Sequence, residues 1–313
     1  MKGTVLVTPR SMTAAGVHAL PALRPVTDAG YELVSGPAGR QPTLDDLREV
    51  GAGVVGWLAG VEKIDEQALA LFPGLRVVSR NGAGADAVDL AAAERRGIAV
   101  LTARGANARG VAELAFAHVL NGVRGIPLAD RELRSGRWTR TIGRELPDLT
   151  VGIVGYGAIG RHVAAFATAF GARVLVSDPF ARVESTSDAV RQVDLPELLA
   201  GSDVVTLHAP PPADGSPLVG TDELRTMPHG ALLVNTARSA LIDDAAVLAA
   251  LSSGALSGYA VDAFDTEPPE LTPLLRHERT ILTPHLGGYT DASVRRATEQ
   301  SVSNLLDILD RPE

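Results

Sequence analysis

The sequence predicts an α/β protein made of two doubly wound parallel sheets, and two observations lead to that prediction. Short aliphatic runs alternate with longer helix-like segments in the first hundred residues, and a second alternating series begins at Thr150. Such alternation is typical of parallel sheets whose strands are joined by helices. The length of 313 residues is also enough for two domains that each bury a core.

Each sheet is expected to form from its own series of strands. The first series contains five predicted strands, at residues 4–7, 31–34, 53–57, 76–79 and 98–101. The second contains six, the number in a full doubly wound sheet, at residues 151–154, 173–177, 203–207, 231–235, 258–262 and 280–282. Apolar residues at helical spacing predict a connecting helix at 109–124, a second helical segment that runs toward Ser135, and a final helix at 290–309.

Composition and charge exclude several classes of function. The formal net charge of −8 argues against general binding to nucleic acid or to an anionic membrane, because both reward a basic face. The absence of Cys removes disulfides, thiolate metal sites and a cysteine nucleophile, and it suits a reducing compartment. The sequence shows no signal-like start and no run of about 18 apolar residues. We therefore expect a cytoplasmic protein that holds no metal and binds neither nucleic acid nor membrane.

Three glycines follow the first strand of the second series. Gly155, Gly157 and Gly160 lie in the segment VGIVGYGAIG with the spacing GxGxxG. That spacing alone is weak evidence, but here it joins a predicted strand to a predicted helix. Gly157 would let the backbone approach a pyrophosphate, and Gly160 would let the helix pack close to the strand. The first amides of that helix, which would face the anion, belong to Ala158 and Ile159.

An acidic residue stands where this type of site needs one. Asp178 lies eighteen residues after Gly160, at the end of the next predicted strand. A carboxylate there would accept hydrogen bonds from the ribose hydroxyls of NAD and repel the 2′-phosphate of NADP. The alternative is a structural turn with an incidental Asp. Because the glycines and the acid fall on a strand, turn, helix and strand unit, we expect NAD as the cofactor.

Three polar residues of different types follow three later strands: Arg238 in VNTARS, Glu267 in VDAFDTEP and His285 in TPHLGG. Open α/β sheets bind ligands at the carboxyl ends of their strands. Arg238 can hold a carboxylate through two hydrogen bonds. His285 can donate a proton to a carbonyl oxygen, and Glu267 can orient that imidazole and favour its charged form. Taken singly, such residues are more often solvated or structural, but together they fit the reduction of a 2-oxo acid.

These motifs resemble those of the NAD-dependent D-isomer-specific 2-hydroxyacid dehydrogenases, and especially of their phosphoglycerate dehydrogenase-like branch. The resemblance covers nearly the whole chain. NGAGADAVD at 81–89 resembles the family's substrate loop, and RGANARGVAEL at 104–114 resembles its domain-crossing helix. VGIVGYGAIG with SDPF resembles the cofactor site, and VNTARS, VDAFDTEP and TPHLGG resemble the segments that supply the catalytic Arg, Glu and His.

The resemblance implies roles for individual residues. The three polar residues above would carry the family's catalytic roles, with Arg238 also binding the substrate carboxylate. The backbone at Ala83 and Gly84 would cradle that carboxylate. Further cofactor-lining residues would be His208, Thr236 and Asp262. Asp262 would face the nicotinamide amide, whereas a structural loop histidine is an equally good interpretation of His208.

The resemblance also implies the organisation of the chain. A Rossmann cofactor domain, residues 101–287, would be inserted into a flavodoxin-like substrate domain formed by residues 1–100 and a C-terminal helix at 288–313, with catalysis in the cleft between them. The helix at 109–124 and the GRW segment after it look like the family's dimer-forming region, which implies a homodimer. Trp138 would then lie near the partner's cleft or pack on its own lobe.

The implied activity is the NAD-dependent interconversion of a small 2-oxo acid and its D-2-hydroxy acid, of the phosphoglycerate, hydroxypyruvate or glyoxylate type. Glu267 stands where related formate dehydrogenases carry Gln, and Ala83 where phosphite dehydrogenases carry Lys, so both of those activities are disfavoured. The alternative is an NAD-sensing binding protein of the corepressor type, which has a similar Arg, Glu and His set but little turnover. Consumption of a 2-oxo acid with NADH would distinguish the two.

Overall fold

The computed structural model describes residues 2–183 and 189–311. The chain divides into two compact units, Met1–Asn107 with Asp291–Glu313, and Ala108–Thr290. The divisions lie a few residues beyond the expected boundaries at 100/101 and 287/288, and the fifth strand, paired with the fourth, stays with the first unit. Residues 1 and 313, where the expected substrate domain begins and ends, lie outside the described residues, and the roles of the two domains stay predictions.

The first unit is built on a five-stranded parallel sheet with the order β2-β1-β3-β4-β5. This is the flavodoxin-like order that was predicted. Its strands end within two residues of the predicted positions: β1 Thr4–Val7, β2 Glu32–Ser35, β3 Val54–Ala59, β4 Val77–Arg80 and β5 Ala99–Thr102.

The second unit is built on a seven-stranded parallel sheet with the order β12-β11-β10-β9-β6-β7-β8. Counted from β6, this is the doubly wound order 3-2-1-4-5-6 with one further strand at the edge. The prediction of six strands was wrong by one, because β8 is only three residues long and its sequence VRQ shows no apolar alternation. The strands are β6 Thr150–Val154, β7 Arg173–Ser177, β8 Val190–Gln192, β9 Val204–Leu207, β10 Ala231–Asn235, β11 Leu256–Val261 and β12 Thr280–Leu282.

Helices connect the strands and cover both sheets. They are α1 Arg10–Ala15, α2 Arg24–Asp28, α3 Leu44–Glu49, α4 Glu66–Ala70, α5 Leu90–Arg95, α6 Ala108–Arg124, α7 Ile126–Arg134, α8 Ala158–Ala169, α9 Leu195–Gly201, α10 Thr221–Thr226, α11 Asp244–Ser253, α12 Pro273–Arg276 and α13 Asp291–Leu309. Within the described ranges, no helix combines the length and the apolar character needed to cross a membrane.

Both faces of the second sheet are buried, which explains why its strands are continuous aliphatic runs. Every residue of β6 and of β10 is buried. Alternate strand residues pack on one face against α6 and α8, and on the other face against α9 and α11. One side of α6, which includes Ala115, Phe116 and Val119, is thereby part of the core.

The final helix completes the core of the first unit. Leu305 and Leu309 of α13 are buried in the same cluster as Val5 and Val7 of the central strand β1. On the other side of the sheet the fully buried Trp57 meets Phe72 edge to face, with ring centroids 5.6 Å apart. The chain therefore has to return from the second unit before the first unit can bury its apolar surface.

Candidate active site

The three glycines of the GxGxxG motif, called the fingerprint glycines below, form a tight turn between β6 and α8. Two of them have no room for a side chain. Gly155 has a φ of +93°, and a Cβ on it would lie 2.6 Å from the backbone carbonyl of His208. A Cβ on Gly160 would lie 2.1 Å from the carbonyl oxygen of Gly155. A Cβ on Gly157 would instead meet no atom of the described residues within 4 Å, apart from its chain neighbours. The space beside Gly157 is what a closely bound pyrophosphate needs.

The N-terminus of α8 is open to an anion. α9 and α11 begin with side-chain caps, from Asp194 and Asp243, that accept first-turn amides. The residue in the same position before α8 is Gly157, which has no side chain to do so. The amides of Ala158 and Ile159 therefore lack intrahelical acceptors and lie at the positive end of the helix dipole. This arrangement fits the pyrophosphate of a dinucleotide.

Asp178 lies directly after β7 and is bound to the fingerprint turn. Its carboxylate accepts the backbone N–H of Tyr156 at 2.6 Å and those of Phe180 and Ala181 at 2.8 Å each. Burial raises the pKa of Asp178, but the three amide hydrogen bonds outweigh burial and hold that pKa below its ordinary value. Because a carboxylate oxygen can accept more than one hydrogen bond, this fixed charge can still bind a ribose.

Two buried polar atoms lie where the sequence places the cofactor. His208, after β9, has its Nε2 2.9 Å from Thr206 Oγ1, whereas its Nδ1 is buried and makes no hydrogen bond with any described residue. Burial lowers the pKa of His208 to about 3, so its ring is neutral. The hydroxyl of Thr236, after β10, is likewise buried without a partner among the described residues. Buried polar groups are normally hydrogen-bonded, and both groups fit the hydroxyls and the amide of a dinucleotide.

Arg238 lies in the loop after β10, and a buried side chain shapes that loop. Asn235, 1% exposed, donates from its side-chain amide to the carbonyl of Arg238 at 2.8 Å and accepts from the N–H of Ala237 at 3.1 Å. The hydroxyl of Ser239 is hydrogen-bonded to Asp265 in the loop after β11. The sequence pattern did not predict either support, although a polar residue that ends an otherwise apolar strand was a signal for Asn235.

Glu267 and His285 are in contact. His285 Nδ1 lies 2.7 Å from Glu267 Oε1, which also accepts the N–H of Phe264 at 3.3 Å. When Nδ1–H is donated to the carboxylate, Nε2 is the ring atom left to exchange a proton with a ligand. The side chain of His285 is 53% exposed and that of Glu267 is 42% exposed, so a ligand can reach both.

The turn that carries His285 is held by Asp262, which is 1% exposed. Asp262 Oδ1 accepts the hydroxyl of Thr283 at 2.6 Å and the N–H of Leu286 at 2.8 Å, and Oδ2 accepts the N–H of Gly287 at 2.8 Å. His285 has a φ of +52°, a left-handed conformation that residues other than glycine rarely adopt. The nicotinamide contact of Asp262 stays a prediction, and shaping this turn is a role that the sequence did not indicate.

The predicted substrate loop follows β4 in the first unit. Arg80, 7% exposed, donates from Nε to the carbonyl oxygen of Gly84 at 3.1 Å and so supports the loop that contains Ala83. Burial lowers the pKa of Arg80, whereas the charges of Glu62 and Asp86 oppose that shift. The sequence identified the loop but not this support, and carboxylate binding by its backbone stays a prediction.

Comparison with known proteins associates the chain with dehydrogenases. Residues 116–287 match the family model described as D-isomer specific 2-hydroxyacid dehydrogenase, NAD binding domain. The chain is 37% identical over 232 residues to the D-3-phosphoglycerate dehydrogenase of Archaeoglobus fulgidus, a match that covers 73% of this chain and 44% of that protein. The match thus spans less than half the length of this relative.

Solved structures resemble nearly the whole chain. The TT0316 protein from Thermus thermophilus has a TM-score of 0.84 at 34% identity, covering 98% of this chain and 97% of its own. A glyoxylate reductase from Paecilomyes thermophila also has a TM-score of 0.84, at 26% identity, covering 99% of this chain and 96% of its own. These likenesses confirm the predicted fold class.

Alanine substitutions at Gly157 and Gly160 should have different effects on stability and on NADH binding, because the surroundings of the two glycines differ. We expect Gly160→Ala to lower the free energy of unfolding by about 3 kcal/mol or more, because its Cβ overlaps the backbone of Gly155. Gly157→Ala should fold like the parent protein but bind NADH at least about tenfold more weakly, because its methyl group enters the space of the pyrophosphate. Urea unfolding and NADH fluorescence titration measure the two effects, and parent-like NADH affinity in Gly157→Ala would contradict the assignment.

Proposed function

The chain belongs to the D-isomer specific 2-hydroxyacid dehydrogenase family, and from that premise we propose that it is an NAD-dependent oxidoreductase that interconverts a small 2-oxo acid and its 2-hydroxy acid. The observation that carries the proposal is the 2.7 Å contact between His285 Nδ1 and Glu267 Oε1, in the same unit as the fingerprint turn. A histidine paired through one ring nitrogen is prepared to exchange a proton through the other.

Bound NADH supplies the hydride, and the residues of the chain hold the substrate and move the proton. Arg238 binds the substrate carboxylate through two hydrogen bonds, which orients the adjacent carbonyl for reaction. His285 donates a proton from Nε2 to the carbonyl oxygen as that oxygen gains negative charge. Glu267 accepts the Nδ1–H of the ring and keeps it oriented before and after the transfer. In the oxidative direction the neutral ring accepts the proton of the substrate hydroxyl.

On the cofactor side, the pyrophosphate is assigned to the turn at Gly157 and to the open end of α8, and the ribose to Asp178. The fixed charge of Asp178 favours NAD over NADP, because a carboxylate close to a 2′-phosphate is repelled by it. The nicotinamide half is assigned to the buried polar groups at the neighbouring strand ends: His208, Thr236 and Asp262.

Substrate binding is assigned to the first unit, through the loop at Ala83 and Gly84, and cofactor binding to the second. A related protein is named D-3-phosphoglycerate dehydrogenase, and a similar structure is named glyoxylate reductase. These names support a short 2-oxo acid, with or without a phosphate, as the substrate class.

We also propose a homodimer formed by the second unit. Its surface is assigned to α7 and the GRW segment rather than to the predicted helix at 109–124, because the apolar side of that helix packs in the core. Four large apolar side chains of α7 and of the loop after it are exposed: Ile126 at 50%, Leu133 at 57%, Trp138 at 79% and Ile142 at 103%. A group of exposed apolar side chains marks an interaction surface. The absence of Cys supports a cytoplasmic location, and recovery of the protein in a secreted or membrane fraction would contradict that location.

Light scattering at micromolar concentration should give the mass of two chains for the parent protein and of one chain for Ile142→Asp. A carboxylate at the centre of an apolar interface would have to be buried without a partner, which opposes association. Leu271, an exposed apolar residue elsewhere in the second unit, provides the matched control, and Leu271→Asp should keep the mass of the parent. A monomeric parent protein would refute the dimer.

The activity itself is tested by a panel of 2-oxo acids. The purified protein should oxidise NADH in the presence of glyoxylate, hydroxypyruvate or phosphohydroxypyruvate, and should use NADPH less efficiently. His285→Ala should lose about two to four orders of magnitude in kcat, the usual contribution of a positioned acid. Arg238→Lys should also be severely impaired, because an ammonium group cannot make the same paired contact with a carboxylate.

Two outcomes of that panel would contradict the proposal in different ways. If the parent protein binds NADH but turns over no 2-oxo acid, the corepressor-type alternative would replace the proposal of an enzyme. Equal kcat/KM values with NADH and NADPH would leave the enzyme in place but remove the proposed role of Asp178.

The pairing of Glu267 with His285 predicts a loss of turnover when the carboxylate is removed. The carboxylate accepts the Nδ1–H of His285 across 2.7 Å and so orients the ring. In Glu267→Gln the shape is kept but the charged acceptor is lost, so the reductive kcat should fall about tenfold or more. Glu270→Gln, at an exposed carboxylate three residues away, is the control and should keep the parent kcat. Parent-like kcat in Glu267→Gln would show that the pair does not act together.

A further inference from the structure

The proposed reaction needs His285 to be held in place, and we propose that His118, on α6, is a positioning residue that holds it through the side chains of Thr283 and Asp262. The kinetic consequence of this inference rests on the proposed function. Its structural consequence, a more firmly held turn at residues 283–287, does not.

His118 is an unusual residue for its surroundings. It is 1% exposed and lies on the buried side of α6, among apolar residues such as Ala115 and Val119. Burial lowers the pKa of His118, although the charge of Asp262 opposes that shift. Its Nδ1 atom is buried and makes no hydrogen bond within the described part of the chain. An apolar side chain would fill this place without leaving a polar atom unpaired, so the polar contact of the other ring nitrogen needs a reason.

That contact leads directly to the turn of His285. His118 Nε2 lies 3.1 Å from Thr283 Oγ1, and the hydroxyl of Thr283 lies 2.6 Å from Asp262 Oδ1. A hydroxyl has one hydrogen, and the carboxylate can only accept it. Thr283 therefore donates to Asp262 and accepts from His118, whose neutral ring must carry its proton on Nε2. These two hydrogen bonds form a relay, from His118 on the helix through Thr283 to the carboxylate of Asp262, in which both protons are donated in the same direction.

The residues of the relay contact the backbone both before and after His285. Thr283 lies two residues before it, and its carbonyl accepts the N–H of His285 at 2.9 Å. Asp262 accepts the N–H groups of Leu286 and Gly287, the next two residues. The fit is close, because a Cβ on Gly287 would lie 3.0 Å from Asp262 Oδ2. The left-handed backbone of His285 is therefore enclosed by groups that are linked, through Thr283, to a helix of the core.

Removal of the donor on α6 should loosen this turn. In His118→Leu the space stays filled, but the hydroxyl of Thr283 has lost the partner that fixes its rotamer, so it can turn away from Asp262. In His118→Gln the side-chain amide can donate to the same hydroxyl, so the relay is retained. In Val119→Ala the same helix loses buried apolar volume while the relay is untouched, which makes this variant the control for packing.

The structural test needs no substrate. Hydrogen–deuterium exchange of the peptide that spans residues 283–289 should become about tenfold faster in His118→Leu, as expected for the loss of one supporting hydrogen bond. It should stay within about twofold of the parent protein in His118→Gln and in Val119→Ala. Thr283→Val should match His118→Leu, and the double variant should be no worse than either single variant, because both break one relay. If His118→Leu does not fold, Thr283→Val carries the test from the other side.

The kinetic test uses the 2-oxo acid that the parent protein reduces. We expect kcat to fall about tenfold in His118→Leu with KM for NADH changed less than about twofold, and to recover in His118→Gln. A parent protein without turnover would refute the proposed reaction, but altered exchange with rescue by Gln would still support the relay. Parent-like exchange and, where there is turnover, parent-like kcat in His118→Leu would overturn the positioning role. Equal effects in Val119→Ala would also overturn it, because they would reduce His118 to a packing residue.

Discussion

Parallel pairing in the second sheet is the constraint on which the candidate site depends. Because all seven strands run in one direction, their carboxyl ends meet at one edge of the sheet. Six of the seven strands are followed at that edge by a candidate group of the site: the glycine turn after β6, Asp178 after β7, His208 after β9, Arg238 after β10, Asp262 after β11 and His285 after β12. Groups that are up to 130 residues apart in the chain are thereby collected by a backbone hydrogen-bonding pattern alone.

Burial gives three histidines of the second unit different roles. Burial lowers the pKa of His118 and of His208, and neither ring has a carboxylate in hydrogen-bonding contact among the described residues. Both rings are therefore kept neutral as fixed donors and acceptors. His285 is exposed instead and contacts the carboxylate of Glu267 through Nδ1, so its other ring nitrogen is the one that a ligand can reach.

The extent of sequence-based prediction follows from how local each signal is. Strands such as β6 and β10 were predicted because strands buried on both faces are unbroken aliphatic runs. The glycine turn was predicted because the whole GxGxxG spacing lies within one strand, turn and helix unit. β8 was missed because a three-residue edge strand carries no such pattern. His118 was also missed, because its partner Thr283 lies 165 residues away and a single histidine on a helix gives no sign of it. Asn235 shows the intermediate case, in which a polar residue at a strand end indicates a support but not what it supports.

The backbone of His285 shows why the supports of the site matter as much as its reactive groups. A left-handed conformation in a residue other than glycine costs roughly 1–2 kcal/mol. A hydrogen bond to a charged group contributes about 1.5–3 kcal/mol, and the buried carboxylate of Asp262 accepts two N–H groups of the same turn as well as the hydroxyl of Thr283. The network therefore exceeds the strain while the side chain of Asp262 is held still. Since β11 fixes the backbone of Asp262, the side chain is the part that can still move, and Thr283 with His118 restrains it. The orientation of an exposed histidine is in this way determined by buried residues, one of them on a helix that precedes the nucleotide fingerprint in the chain.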